Sequence, residues 1–348
     1  MVTIACPLNE AARMSPNQAG IISKDGALLF TEVEQCVVAT TELLVREGVE
    51  KGEYLGLLLD QGWESVILFW SILRLGAIVC PLYPGGDKAH LEGILKELTV
   101  RRVLARKDPE IPGITFLDVA SFTGFTGKFK ATYRPVLDLN APAVVQFSLD
   151  DKLQPVYLCR SVASYYYGAQ GGNGVMPLGT NKRWMLRPFY TWQGPDCLFR
   201  CWMAGAGVVP LNEALPTYDD INTYEISHVT VGRGQVKDLL SELARGEHEL
   251  TYALLEYVPT DEEYETFKQA GLFVVPHLDT ATCGYFASVD RAGSITPFKR
   301  VEFEQDEDGR LRIRNNALST LRVVAGERLP YVEKGQWVDA GRMDRDRA

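Results

Sequence analysis

Between residues 30 and 84 the sequence switches repeatedly between a helical and a strand-like apolar pattern, and that alternation restricts the fold more than any other feature. Val33, Cys36, Val37, Thr40, Leu43 and Leu44 recur at helical spacing and lead to Gly48, a residue suited to ending a helix. Residues 54–59 then read as a buried strand. Trp63, Val66, Ile67, Phe69, Trp70 and Leu73 mark a second helix, closed by Leu75-Gly76, and 78–81 is another short apolar strand. Strand, helix and strand in this order build a parallel unit.

The unit has an echo. Gly76-Ala77-Ile78-Val79-Cys80-Pro81-Leu82 returns as Gly205-Ala206-Gly207-Val208-Val209-Pro210-Leu211, each time behind an apolar helix. A second half is therefore expected, with helices near 161–170, 195–204 and 235–245 and strands near 143–147, 227–230, 252–255 and 272–276. From 292 onward the reading changes. Residues 301–304 and 310–314 alternate around Asp306-Glu307-Asp308-Gly309, which signals a hairpin. The expected class is α/β, with two related parallel-sheet sub-domains (αβαβα) over 1–141 and 142–291 and a small β region over 292–348. The 348 residues, 46% of them hydrophobic, suffice for this, since domains run to about 100–200 residues.

Charge and cysteine usage exclude several functional classes. The net charge is −9 and the basic residues are scattered, so no positive stripe exists for a phosphate backbone, and nucleic acid is not an expected partner. No apolar run approaches the ~20 residues of a membrane span. Residues 1–12 carry neither the basic segment nor the apolar stretch of a signal peptide, so a cytoplasmic location is expected. Seven cysteines without CxxC spacing suit reduced thiols rather than a disulfide framework or a zinc site. His90 at a helix start, His228 opening a strand, His248 in a charged loop and His277 are too dispersed to imply a metal.

With these elements placed, the chain resembles the large N-terminal domain of the acyl-CoA synthetase, adenylation-domain and luciferase superfamily. The strongest stretch is FTEVEQCVVATTELLVREGVEKGEYLGLLLDQGWESVILFWSILRLGAIVCPLYP, which follows that family's opening almost element by element. The resemblance continues through 205–211, 230–240, 271–275 and the 309–317 hairpin. In its compact length the chain is most similar to the o-succinylbenzoate–CoA ligase branch. The resemblance implies the two-half α/β fold and, after it, a small domain bearing a catalytic lysine. Ala348 falls where the family's hinge stands, so the expectation is that this chain lacks the lysine domain.

The resemblance also implies sites for ATP and magnesium, and each is altered here. The family's phosphate loop is rich in Ser, Thr and Gly and ends in Pro-Lys, because backbone N–H groups, hydroxyls and a lysine hold the phosphates. Its counterpart reads Ser148-Leu149-Asp150-Asp151-Lys152-Leu153-Gln154-Pro155-Val156, with no glycine. A carboxylate at ~4 Å from a phosphate costs several kcal/mol at an effective dielectric of 20. Asp150-Asp151 reads better as a solvated turn between a strand and a helix than as a metal-binding pair.

The glycine turn that lines the adenine pocket becomes Glu256-Tyr257-Val258-Pro259, whose large side chains are expected to plug it. The Tyr-Gly-x-Thr-Glu motif aligns with Leu278-Asp279-Thr280-Ala281-Thr282, placing Thr282 where the magnesium carboxylate belongs and leaving Asp279 as a substitute. The ribose-binding segment reads Trp337-Val338-Asp339-Ala340-Gly341-Arg342, with the donor Arg342 in the acceptor's place and Asp339 as the alternative. In the acyl-site segment Pro188-Phe189-Tyr190-Thr191-Trp192-Gln193-Gly194, Thr191 stands where histidine is usual.

The expected function is therefore that of a ligase homologue that does not adenylate. An acyl or aryl cleft is expected from Tyr190, Thr191, Trp192, Gly194, Tyr257, Leu278, Asp279 and Thr282, bordered by His277 and Tyr285; that these aromatics merely fill the space stands equally open. Three readings follow. In the first, the protein binds a small acyl or aryl ligand, an acyl carrier protein or a related ligase subunit and needs no cofactor. In the second, it transfers acyl groups from CoA or carrier-protein thioesters without ATP, with His277 and Cys283 as the catalytic pair, although such a pair is more often packing. In the third, Lys152, Asp279 and Asp339 hold Mg-ATP and a separate chain supplies the lysine. Gly171-Gly172-Asn173-Gly174 reads as a helix end and flexible turn, because no Lys-Ser/Thr follows to make it a phosphate loop.

Overall fold

The computed structural model describes residues 3–123, 136–149, 155–280, 284–292, 294–298, 301–306, 310–315, 320–324, 326–332 and 337–342. The first half contains β1 (Thr3–Ala5), α1 (Pro7–Met14), β2 (Ala19–Ser23), β3 (Gly26–Leu29), α2 (Phe30–Arg46), β4 (Tyr54–Leu58), α3 (Trp63–Leu75), β5 (Ile78–Leu82), α4 (Lys88–Glu97), β6 (Arg102–Ala105), β7 (Thr115–Asp118), α5 (Ala120–Thr123) and β8 (Val136–Asp138). Then come β9 (Pro142–Leu149), β10 (Pro155–Ser161), α6 (Val162–Val175), β11 (Arg183–Leu186), α7 (Gln193–Ala204), β12 (Gly207–Pro210), α8 (Tyr218–Thr223), β13 (His228–Val231), α9 (Val236–Leu243), β14 (Tyr252–Leu255) and α10 (Asp261–Gln269). Among the described residues, the elements that follow are all strands: β15 (Phe273–Thr280), β16 (Gly284–Val289), β17 (Ile295–Pro297), β18 (Val301–Gln305), β19 (Arg310–Asn315), β20 (Thr320–Val324), β21 (Glu327–Val332) and β22 (Trp337–Arg342).

Two large sheets carry the α/β architecture. One has the order β21-β20-β10-β9-β5-β4-β6-β7, the other β17-β16-β15-β14-β13-β11-β12-β2-β3. Their centres are parallel, β5-β4-β6-β7 in the first and β15-β14-β13-β11-β12 in the second, and antiparallel strands extend the edges. The sequence echo has a geometric cause. Gly76 and Gly205 both adopt the left-handed conformation, at φ 84° and 69°, capping α3 and α7 before each turns into its strand. Between Ser65 and Leu75 every residue of α3 is buried, most of them apolar, and the buried Arg74 pairs with Glu34 at 2.6 Å. Trp70 meets Trp202 and Phe199 of α7 at 4.8 Å between ring centroids, so the two halves share one core.

The sheets interleave in sequence on both sides of the expected 141/142 boundary. The β2–β3 hairpin joins the second sheet through Ile21 opposite Val208, while β9 joins the first through Val144 opposite Val79. The C-terminal strands are also shared out. β17 extends the second sheet, β20 pairs with β10 in the first, and β18, β19 and β22 form a separate three-stranded sheet that contains the expected hairpin.

Two expectations need correction. The strand 142–149 leads not to a helix but to an antiparallel partner, β10, with Phe147 opposite Tyr157. And α6 does not end before Gly171: it continues through Gly174, because glycine permits close packing there. A Cβ on Gly171 would lie 2.6 Å from Phe298, and one on Gly172 would lie 2.7 Å from the Arg200 guanidinium.

Candidate functional site

The segment 187–194 follows β11 of the second sheet and is met from the first sheet by Gln146 of β9. Gln146, the one polar side chain within the apolar run 143–147, points from β9 to this segment and donates to the Thr191 carbonyl at 2.8 Å. Its oxygen accepts from the Tyr165 hydroxyl at 3.3 Å. Thr191 closes a tight turn by donating both its amide and its hydroxyl to the Pro188 carbonyl, at 3.0 and 2.7 Å. Gly194 makes the turn possible, since a Cβ there would stand 2.6 Å from the Pro188 oxygen and 2.7 Å from that of Arg187. Phe189 stacks on Phe69 at 4.1 Å, fixing the segment to α3, while Tyr190 is 36% exposed and meets Tyr83 edge-on at 5.1 Å.

Within the same segment, the Gln193 side-chain amide donates to the Glu256 carboxylate at 2.5 Å. Gln193 is buried at the start of α7, and Glu256 follows β14, so the bond spans two elements. The other Glu256 oxygen lies 3.2 Å from the position a Cβ on Gly232 would take. Tyr257 is half-buried, donates to Glu263 at 3.3 Å and carries the Arg233 guanidinium 4.8 Å over its ring. Burial raises its hydroxyl pKa, and the Glu263 carboxylate adds to the shift.

His277, on β15 opposite Ser288, is 3% exposed. Burial drives its pKa down from 6.5 to about 3, and Arg200 contributes in the same direction against the opposing pull of Glu256. It is neutral at ordinary pH.

Behind the segment sits a charged pair that has no counterpart among the sequence expectations. Arg160 of β10 grips Asp196 of α7 through two bonds of 2.7 and 2.9 Å, with exposures of 0% and 1%, and its Nε donates to the Ser164 hydroxyl at 2.9 Å. The Tyr165 ring lies 4.0 Å beneath the guanidinium. The only hint in the sequence is Asp196 itself, an acid beside the apolar Cys197-Leu198-Phe199, which demands a partner once buried.

The structure distributes the candidate residues over several places. Tyr190, Thr191, Trp192 and Gly194 cluster with Gln146, and through Gln193 they reach Glu256; Trp192 is half-buried at the N-cap of α7. Tyr257 flanks Glu256, and Leu278 packs against the shared core. Ser148 lies on β9 opposite Val156, Asp279 on β15 opposite Tyr285, and Asp339 and Arg342 on β22 opposite Arg312 and Arg310. Asp150, Asp151, Lys152, Thr282 and Cys283 lie outside the described residues. Among the described residues no group of His, Cys, Asp and Glu could hold a metal ion, and no helix is long and apolar enough to cross a membrane.

Comparison with known proteins agrees with the resemblance read from the sequence. The family model described as AMP-binding enzyme matches residues 8–146. Nonribosomal peptide synthetase asaC of Aspergillus flavus is 29% identical over 92 residues, which cover 26% of this chain and 9% of the synthetase. A 2-succinylbenzoate–CoA ligase of Bacillus thuringiensis is 20% identical over 252 residues, 71% of this chain and 52% of the ligase. The chain thus spans about half of that ligase and a small part of the synthetase. Among solved structures, a variant of E. coli MenE with bound OSB-AMS superposes with a TM-score of 0.82 at 17% identity, covering 97% of this chain and 75% of that one. The chain has the mixed α/β fold of the N-terminal domain of adenylate-forming enzymes.

Proposed function

We propose that this domain is a relative of the AMP-forming ligases that has given up adenylation and kept a cleft for an acyl or aryl group. The observation that carries the reading is the Gln193–Glu256 hydrogen bond. Glu256 stands where the resemblance puts a glycine of the adenine turn, and a side chain of this size tied to α7 supports a pocket closed to a base. Tyr257 adds a second large side chain next to it. The altered residues at 148–156, 282 and 342 point the same way: a triphosphate would lack its glycine cradle, its magnesium carboxylate and its ribose acceptor.

Retention of a cleft is supported by the mouth of the 187–194 segment. Tyr83 and Tyr190 are exposed, oriented edge to face, and lie at the C-terminal end of β5, the end of a parallel strand at which α/β sheets bind ligands. The ligand class comes from the relatives, one of which is a 2-succinylbenzoate–CoA ligase, and a carrier-protein partner fits those named peptide synthetases. Acyl transfer without ATP has less behind it, because His277 is almost fully buried and that burial lowers its pKa to about 3, which makes it a weak base. Calorimetric titration with aryl carboxylates, aryl-CoA thioesters and an acylated carrier protein tests the cleft. Saturable binding of at least one, weakened tenfold or more by Tyr190→Ala, is expected; no binding by any of them contradicts a retained cleft.

A further inference from the structure

On the second sheet, three buried polar atoms have no hydrogen-bond partner, and their side chains leave the same face: Trp184 Nε1, His228 Nε2 and Thr230 Oγ1. Trp184 of β11 and His228 of β13 are register partners on adjacent strands, with ring centroids 5.8 Å apart, and Thr230 follows two residues later on the same side of β13. Their neighbours Val229 and Val231 belong to the apolar cluster on the opposite face. All three side chains are at least 98% buried, at exposures of 0%, 0% and 2%. Buried polar atoms are nearly always hydrogen-bonded, since each one left unmade forfeits its hydration for nothing in return.

The chemistry of the three atoms selects their guest. Ser227 Oγ donates its proton to the Arg183 carbonyl at 3.0 Å, so toward His228 Nδ1, 2.8 Å away, it is an acceptor. On this network Nδ1 carries the imidazole proton and Nε2 presents a lone pair. Trp184 Nε1–H is a donor only, and the Thr230 hydroxyl serves either way.

An anion would meet the Nε2 lone pair. A cation would meet Trp184 N–H and the positive charges of Arg200, whose guanidinium lies 4.7 Å over the Trp184 ring, and Lys182. Those two charges, after burial, hold His228 neutral with a pKa of about 3. A neutral molecule that both donates and accepts satisfies all three atoms.

We infer that Trp184, His228 and Thr230 form an internal site for one structural water between the second sheet and α7. The water accepts from Trp184 Nε1, donates to His228 Nε2 and exchanges a bond with Thr230 Oγ1. This matches the His228 tautomer set by Ser227 and completes the polar layer that Arg200 shares with α6 through its bond to the Gly172 carbonyl, 2.8 Å.

A crystal structure of this chain at a resolution that shows ordered solvent, with a second crystal soaked in bromide, tests the site. The inference predicts a water within hydrogen-bond reach of both Trp184 Nε1 and His228 Nε2, with no anomalous peak at that position after the soak. A bromide peak there, or no density between the three side chains, overturns it. In solution, a long-lived water should give a cross-relaxation signal at the Trp184 indole N–H, identified by its loss in Trp184→Phe, and Thr230→Val should reduce that signal at least twofold. An unchanged signal in Thr230→Val would also overturn the assignment.

Discussion

Gln193 and Glu256, 63 positions apart in sequence, meet at 2.5 Å, and this one bond ties the start of α7 to the turn after β14. Removing either partner leaves the other buried or half-buried without it. Gln193→Ala and Glu256→Ala should each destabilise the fold by about 1–3 kcal/mol. The double variant should cost less than the sum of the two by at least about 0.5 kcal/mol, because the residues are in direct contact. Urea denaturation of all four proteins checks this. Strict additivity would show that the bond is not an energetic link.

The Arg160–Asp196 pair should behave asymmetrically. Asp196→Ala strands a guanidinium that is fully buried on β10, with an expected loss of about 3–5 kcal/mol. The double replacement Arg160→Met with Asp196→Leu removes both charges and should recover most of that loss. Chemical denaturation midpoints measure both. Equal destabilisation by the single and double changes would contradict the account.

Two histidines make stability depend on acid. His228 and His277 titrate near 3 in the fold against 6.5 in the unfolded chain, so the unfolded chain binds the additional protons between these values. Stability is full above pH 6.5 and falls as pH drops toward 3, by up to about 1.4 kcal/mol per pH unit for each histidine. His228→Phe replaces the imidazole stacked 4.7 Å from Tyr252 with a ring that binds no proton, and should remove one proton's share of that slope. A slope identical to that of the unaltered protein would argue against a neutral buried His228.

Gly194 is a steric requirement of the turn that carries Tyr190 and Thr191. Gly194→Ala places a methyl group against two backbone oxygens, at 2.6 and 2.7 Å, which cannot rotate away. A loss of about 1–3 kcal/mol is expected from such overpacking, together with weaker binding of any cleft ligand. A variant as stable as the parent would mean that the segment moves freely.

Much of this architecture was legible because its causes are local. The helices and strands from α2 to β5 follow from apolar periodicity, and Gly76 and Gly205 announce the left-handed caps. The features that escaped are set by distant partners. Gly171 and Gly172 look like a helix terminator until Phe298 and Arg200 arrive against them. The run Val156–Cys159 is short and apolar, and only pairing with β9 and β20 makes it a strand. No spacing rule links Arg160 to Asp196, or Gln146 to Thr191, because the contacts cross between strand and helix or between strand and loop. At the site, Glu256 and Tyr257 were visible in sequence; the Gln193 bond that holds Glu256 in place was not.

Calorimetric titration with Mg-ATP tests the proposal that ATP has lost its place in this fold. The account predicts no heat of binding, or an affinity no tighter than millimolar, about 4 kcal/mol of binding free energy. Micromolar binding, about 8 kcal/mol, would contradict it and would reopen Lys152, Asp279 and Asp339 as substitute ligands.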